Sequence, residues 1–136
     1  MNAKGDAEIA LVPISFGELI DKITILEIKA ARIADPQKAA NIRNELELLT
    51  AARARFNVAD EVAAPLQAEL TRINAELWDI EDRIRDCERD KNFGPEFIEL
   101  ARNVYRTNDR RAALKRQLSE LAGSPIVEEK SYRAYS

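Results

Sequence analysis

The sequence predicts an all-α protein: a helical bundle built on a long antiparallel helical hairpin, with a short extended N-terminal arm and a C-terminal tail. Three observations carry that expectation. Glycine occurs 4 times and proline 5 times in 136 residues, too few turn formers for a sandwich or barrel. Apolar residues make up 46% and charged residues 33%, the balance of a helical core under a salted surface. The run Leu66, Leu70, Ile73, Leu77, Ile80, Ile84, Cys87 keeps a 4-3 spacing with every position apolar, as in a coiled-coil seam. One domain covering 1–136 suits this length.

Each element has its own punctuation. Residues 1–14 form the arm, in which EIALVPI is β-branched but interrupted by Pro13, as in an edge strand or an extended segment. Ser15 with Glu18 three positions on reads as a capping box and opens a helix over 16–34. Asp35-Pro36 supplies an N-cap and a first-turn proline for a second helix over 36–56. The third helix covers 60–90, and Asn92-Phe93-Gly94-Pro95 breaks it. A fourth covers 95–122, with Gly123 as a left-handed cap and Pro125 beyond. The tail, 124–136, is extended or irregular. Charge supports pairing of the last two helices. Between 61 and 90 nine acids face four arginines, net −5; between 102 and 116 six bases face one acid, net +5.

Composition also excludes chemistry. There is no histidine, which removes Ser-His-Asp and Cys-His catalysis, histidine metal sites and histidine pH switches. The single cysteine, Cys87, forms no internal disulfide and points to a reducing compartment. No secretory signal or stretch of ~20 apolar residues is visible, so a cytoplasmic protein without a membrane span is expected. Net charge −3 and pI near 5.2 argue against nucleic acid, since the acidic third helix neutralises the basic fourth. Asp79, Asp82 and Asp86 share a face, but Arg83 and Arg85 intervene, so pairing such as Asp79 with Arg83 is expected rather than a metal. No cofactor motif occurs; no glycine sits in a phosphate-binding pattern.

Candidate functional residues are those that break their own pattern. On the fourth helix the line Phe97, Ala101, Val104, Asn108, Arg111, Lys115, Leu118 is polar at its centre. A slightly rotated stripe through Leu100, Val104, Leu114, Leu118 and Leu121 is the alternative core, leaving those charges at the rim. On the first helix Glu27 falls within the apolar arc of Phe16, Ile20 and Ile23 at ~100° per residue. Glu27 is therefore expected to pair with Arg111 or Lys115. A mixed-charge pocket of Lys22, Glu27, Asn108, Arg111 and Lys115 for a small anionic ligand is the sharper possibility. Ile25 and Ile28 lie off the main face and predict a homodimer. Lys22, Lys29 and Arg32 form a basic line, expected to be solvated. Trp78 reads as a packing anchor and Cys87 as core.

Three segments together, PISFGELIDKITILEIKAARI at 13–33, FGPEFIELARNVYRTNDRRAALK at 93–115 and GSPIVEEKSY at 123–132, resemble a bacterial family of small helical proteins of unknown function. The resemblance implies a bacterial, cytosolic, single-domain helical protein and no activity. Two functions therefore compete: a protein–protein interaction or assembly module that self-associates, and a helical-bundle ligand binder or enzyme. Chorismate mutases catalyse with Arg, Lys, Glu and Gln in a bundle, and Lys22, Glu27, Asn108, Arg111 and Lys115 are comparable residue types without that family's spacing.

Overall fold

The computed structural model describes residues 9–135; the N-terminal part of the predicted arm, 1–8, and Ser136 lie outside them. Four helices form, and no strand occurs among the described residues: α1 Phe16–Arg32, α2 Pro36–Arg53, α3 Asp60–Arg89 and α4 Pro95–Leu121. The sequence boundaries hold to within three residues. The largest misses are the ends of α1 and α2, which stop at Arg32 and Arg53 rather than 34 and 56. Residues 9–15 and 124–135 have no helix or strand.

Local chemistry sets the ends. Ser15 Oγ accepts the Glu18 N–H at 3.2 Å, satisfying one of the first-turn donors. The reciprocal half of the capping box does not form, because the Glu18 carboxylate turns to Lys115 instead. Asp35 caps α2 through the Lys38 N–H at 3.0 Å, with Pro36 in the first turn. Arg53 ties the α2–α3 connection by donating to the Val58 carbonyl at 2.9 Å and pairing with Asp60 at 3.1 Å. Gly123 takes φ +62°, which an L side chain rarely adopts, and ends α4.

α1 is the hub. It packs on α2, α3 and α4, whereas α2 packs on α1 alone. Phe16, Leu19, Ile20 and Ile23 of α1 meet Ala63, Leu70 and Ile73 of α3 and Leu114 and Leu118 of α4 in the main core. Leu46, Leu49 and Ala52 of α2 close it from the other side, and Phe56 stacks on Phe16 at 5.0 Å. A second, thinner core of Ile80, Cys87 and Leu100 lies where α3 and α4 meet without α1. Glu76 pairs with Arg110 and Arg83 with Glu96, so residue numbers rise along α3 as they fall along α4. On α4 the buried line is Leu100, Thr107, Leu114 and Leu118, with Val104 half-buried, so the rotated stripe holds except at Leu121, which is 41% exposed.

Glycine matters most at Gly17. A Cβ built there would sit 1.9 Å from the Lys115 carbonyl oxygen, so α1 and α4 cross at a distance only glycine permits. The Gly17 N–H also donates to Ser119 Oγ at 2.9 Å. That crossing places the first turns of α1 against the last turns of α4.

Candidate functional site

The crossing brings a carboxylate into the bundle centre. Asp21, 1% exposed, lies one turn beyond Gly17 on α1. Its Oδ1 accepts from Arg111 Nε at 2.9 Å, and its Oδ2 from Arg111 Nη2 at 2.5 Å. This is the two-pronged geometry in which guanidinium and carboxylate match best. Asn74 of α3 donates from Nδ2 to Asp21 Oδ1 at 2.9 Å and to Thr24 Oγ1 at 3.0 Å. The Thr24 hydroxyl in turn donates to the Asp21 carbonyl at 2.8 Å. Three helices thus meet on one carboxylate, and every buried side-chain polar atom among the described residues has a partner. A buried ion pair offsets its desolvation only under those conditions.

Electrostatics follow from this geometry. Hydrogen bonding by Asp21 raises Arg111 above the ordinary guanidinium value, against the opposing effect of burial. At Lys115, burial works against the ammonium. Glu18, 2.7 Å away and supported by Asp21 and Glu128, outweighs it and leaves the pKa raised. Both groups are fixed cations at neutral pH. The Asp21 carboxylate accepts three hydrogen bonds, two from Arg111 and one from Asn74.

Four of the five residues singled out from the sequence gather here. Arg111 holds Asp21; Asn108 Oδ1 accepts from Arg111 Nη1 at 3.5 Å. Lys115 and Lys22 share Glu18, at 2.7 and 3.7 Å. Glu27 does not join them. It is exposed and forms no ion pair among the described residues, because the face it occupies is left uncovered near the C-terminal end of α1, where Ala30 and Ala31 are also exposed. The acids are Asp21 and Glu18 instead. The sequence signal for Asp21 is its stripe with Thr24 and Ile28, at spacings of three and four beside the apolar face. Asn74, next to Ile73, and Thr107, in the buried line of α4, were equally open to that reasoning.

Other expectations are corrected in the same way. Ile28 is 7% exposed and so offers little surface to a second copy; Ile25 is half-buried. Asp79 pairs with Arg32 at 2.7 Å rather than with Arg83, which reaches Glu96 at 3.5 Å. Arg32 also lies 5.6 Å from the centre of the Trp78 ring, so the basic line on α1 is partly engaged. Cys87 is buried, and desolvation pushes its thiol pKa up, with nearby Glu96, Asp90 and Asp86 adding to it.

A separate cleft of about 570 Å³ lies beyond Lys115, between the C-terminal half of α4 and the tail. Lys115, Arg116 and Ser119 form one wall, and Val127, Glu128 and Lys130 the other. Neither Asp21 nor Arg111 lines it. The Asp21 carboxylate is therefore closed off from this cleft, while Arg111 keeps 28% of its side chain exposed elsewhere.

Four helices organised around a satisfied charged junction, with no helix among the described residues long and apolar enough to cross a membrane, define a small all-helical protein. The chain belongs to a family of unknown function (DUF6165), matched over residues 10–135. No curated protein and no solved structure matches it.

Proposed function

We propose that the protein is an interaction or assembly module that self-associates. One observation carries this: apolar side chains left in water concentrate on the two segments flanking the helices. Leu11 is 92% exposed and Val12 68% on the N-terminal side. Val127 and Tyr132 are 53% and 79% exposed on the C-terminal side. Ser15 and Ser124 border one cleft, so both segments leave from the same end of the bundle. Apolar groups clustered this way gain by being covered. In this reading α3 and α4 are a long antiparallel hairpin with coiled-coil-like packing that acts as a rigid scaffold. The setting is a bacterial cytoplasm, consistent with a single, buried cysteine.

The competing function, a binder of a small anionic ligand, draws on the cleft beside Lys115 and Arg116. It is disfavoured because Glu120, Glu128 and Glu129 line the same space. Nor does the Asp21–Arg111 pair line that space. Native mass spectrometry of the full chain separates the two. A dimer without bound small molecules is expected. A monomer carrying a retained anion contradicts the assembly function.

A further inference from the structure

The C-terminal tail folds back along α4. Glu128 reaches Lys115 at 3.5 Å and Glu129 reaches Arg116 at 3.7 Å. Further on, the Tyr135 hydroxyl donates to Asp109 Oδ2 at 2.8 Å, and its ring meets Tyr105 edge-on at 5.0 Å. The outer face of α4 is thus a docking surface for an extended segment with two consecutive acids and a tyrosine six positions on. Basic side chains meet the acids and an aromatic meets the tyrosine.

The fit within one chain is loose. Residues 125–135 are all exposed, and a cleft of about 570 Å³ remains between tail and helix. Each ion pair is solvated, with Glu128 and Glu129 side chains 55% and 73% exposed, and such pairs are individually weak. The tail leaves α4 through Gly123 at φ +62° followed by Ser124 and Pro125, a short connection that sets its exit direction.

We propose that this face of α4 receives the tail of a second copy, so that two chains dimerise by exchanging residues 124–135. The inference rests on the self-association proposed above and names its surface. The same contacts form within or between chains, which is why exchange of an identical segment is a low-cost route to a dimer. Exchange brings two bundles together at the end where Val127 and Tyr132 otherwise remain in water. The charge match of Glu128 and Glu129 with Lys115 and Arg116 selects this segment as the occupant.

The test uses two full-length single variants, Tyr105→Cys and Tyr135→Cys, co-expressed and treated with a short bismaleimide. Both positions are exposed, and Cys87 is buried away from the reagent. A link joining positions 105 and 135 is intermolecular by construction. It is expected as the main covalent dimer, with a yield that rises with concentration. Adding Glu128→Lys and Glu129→Lys to the Tyr135→Cys chain should lower that yield several-fold. If Tyr105→Cys/Tyr135→Cys in one chain gives only an intramolecular link while native mass spectrometry still reports a dimer, the exchange is overturned and self-association stands. A wild-type chain that is monomeric throughout overturns both.

Discussion

The two ends of the α3–α4 pair are built from similar sequence and end up differently supported. From Leu66 to Leu77 the seam lies against α1, and Leu70 and Ile73 are at most 1% exposed. α1 reaches as far along α3 as Trp78 and Asp79, through Arg32. Past that point only α4 covers α3, and the buried set shrinks to Ile80, Cys87 and Leu100, with Ile84, Phe97 and Val104 half-buried. An apolar seam is thus a capacity to bury surface. How far it is realised depends on a third helix, and α1 is too short to serve both ends. The polar groups divide the same way. Asp21, Thr24, Asn74 and Thr107 are buried at the three-helix junction, whereas ion pairs at the far end, such as Arg83 with Glu96, remain solvated.

The contrast predicts a graded set of losses. The largest is at Asp21. Asp21→Ala leaves Arg111 half-buried without its carboxylate and should lower unfolding free energy by ~3–5 kcal/mol. Replacing Asp21 with Leu and Arg111 with Met together should recover most of that loss. Urea denaturation of the two single variants and the double measures it, and a double-variant loss equal to the sum of the single losses would show that the two residues are not coupled. Next, Leu70→Ala at the junction should cost ~2–5 kcal/mol, and Ile84→Ala at the far end about 1 kcal/mol, because its site is half-open. Equal costs would erase the distinction between the two ends. Gly17→Ala, which forces α1 and α4 apart, should cost ~1–3 kcal/mol and resemble overpacking.

The smallest effect is pH-dependent. Lys115 has a raised pKa in the folded chain, so its pair with Glu18 contributes fully below the ordinary lysine pKa of about 10.4. The contribution is lost as pH rises through the raised value. Glu18→Gln should therefore lower stability by ~1 kcal/mol at neutral pH. The difference from wild type should disappear in strong alkali, as read from urea midpoints against pH.

Features set within a few residues were legible in the sequence. Ser15, Asp35-Pro36, the break at 92–95 and Gly123 punctuate helices through local hydrogen bonds and backbone angles, and the structure places the ends there. The polar centre was half legible. Arg111, Asn108 and Lys115 announced themselves by interrupting an apolar line, and that line needed an acid. The acid chosen, Glu27, failed because a helical wheel gives angle and not height. Glu27 has the angle of the apolar arc, but at its level that face is left open, with Ala30 and Ala31 also exposed, while Leu26 and Ile28 on the two flanks stay buried. Asp21 lies farther round the wheel and is covered because α3 and α4 flank α1 at its level. Ile28, off the apolar arc, lies on the flank that includes Asp21 and Thr24, and that flank stays covered at its level. Docking of the tail on α4 joins residues 13 to 30 positions apart through solvated contacts, and no periodicity marks such a pairing.

Native-state hydrogen exchange along α3 and α4 tests the division of the molecule most directly. Amides at 70–77 and 107–118 should exchange only through global unfolding, with the full denaturant dependence of the whole chain. Amides at 80–89 and 95–104 should exchange through a smaller opening, at lower free energy and with a shallower denaturant slope. A single free energy shared by all four stretches would contradict the account, because the two-helix end would then be as firmly held as the junction around Asp21.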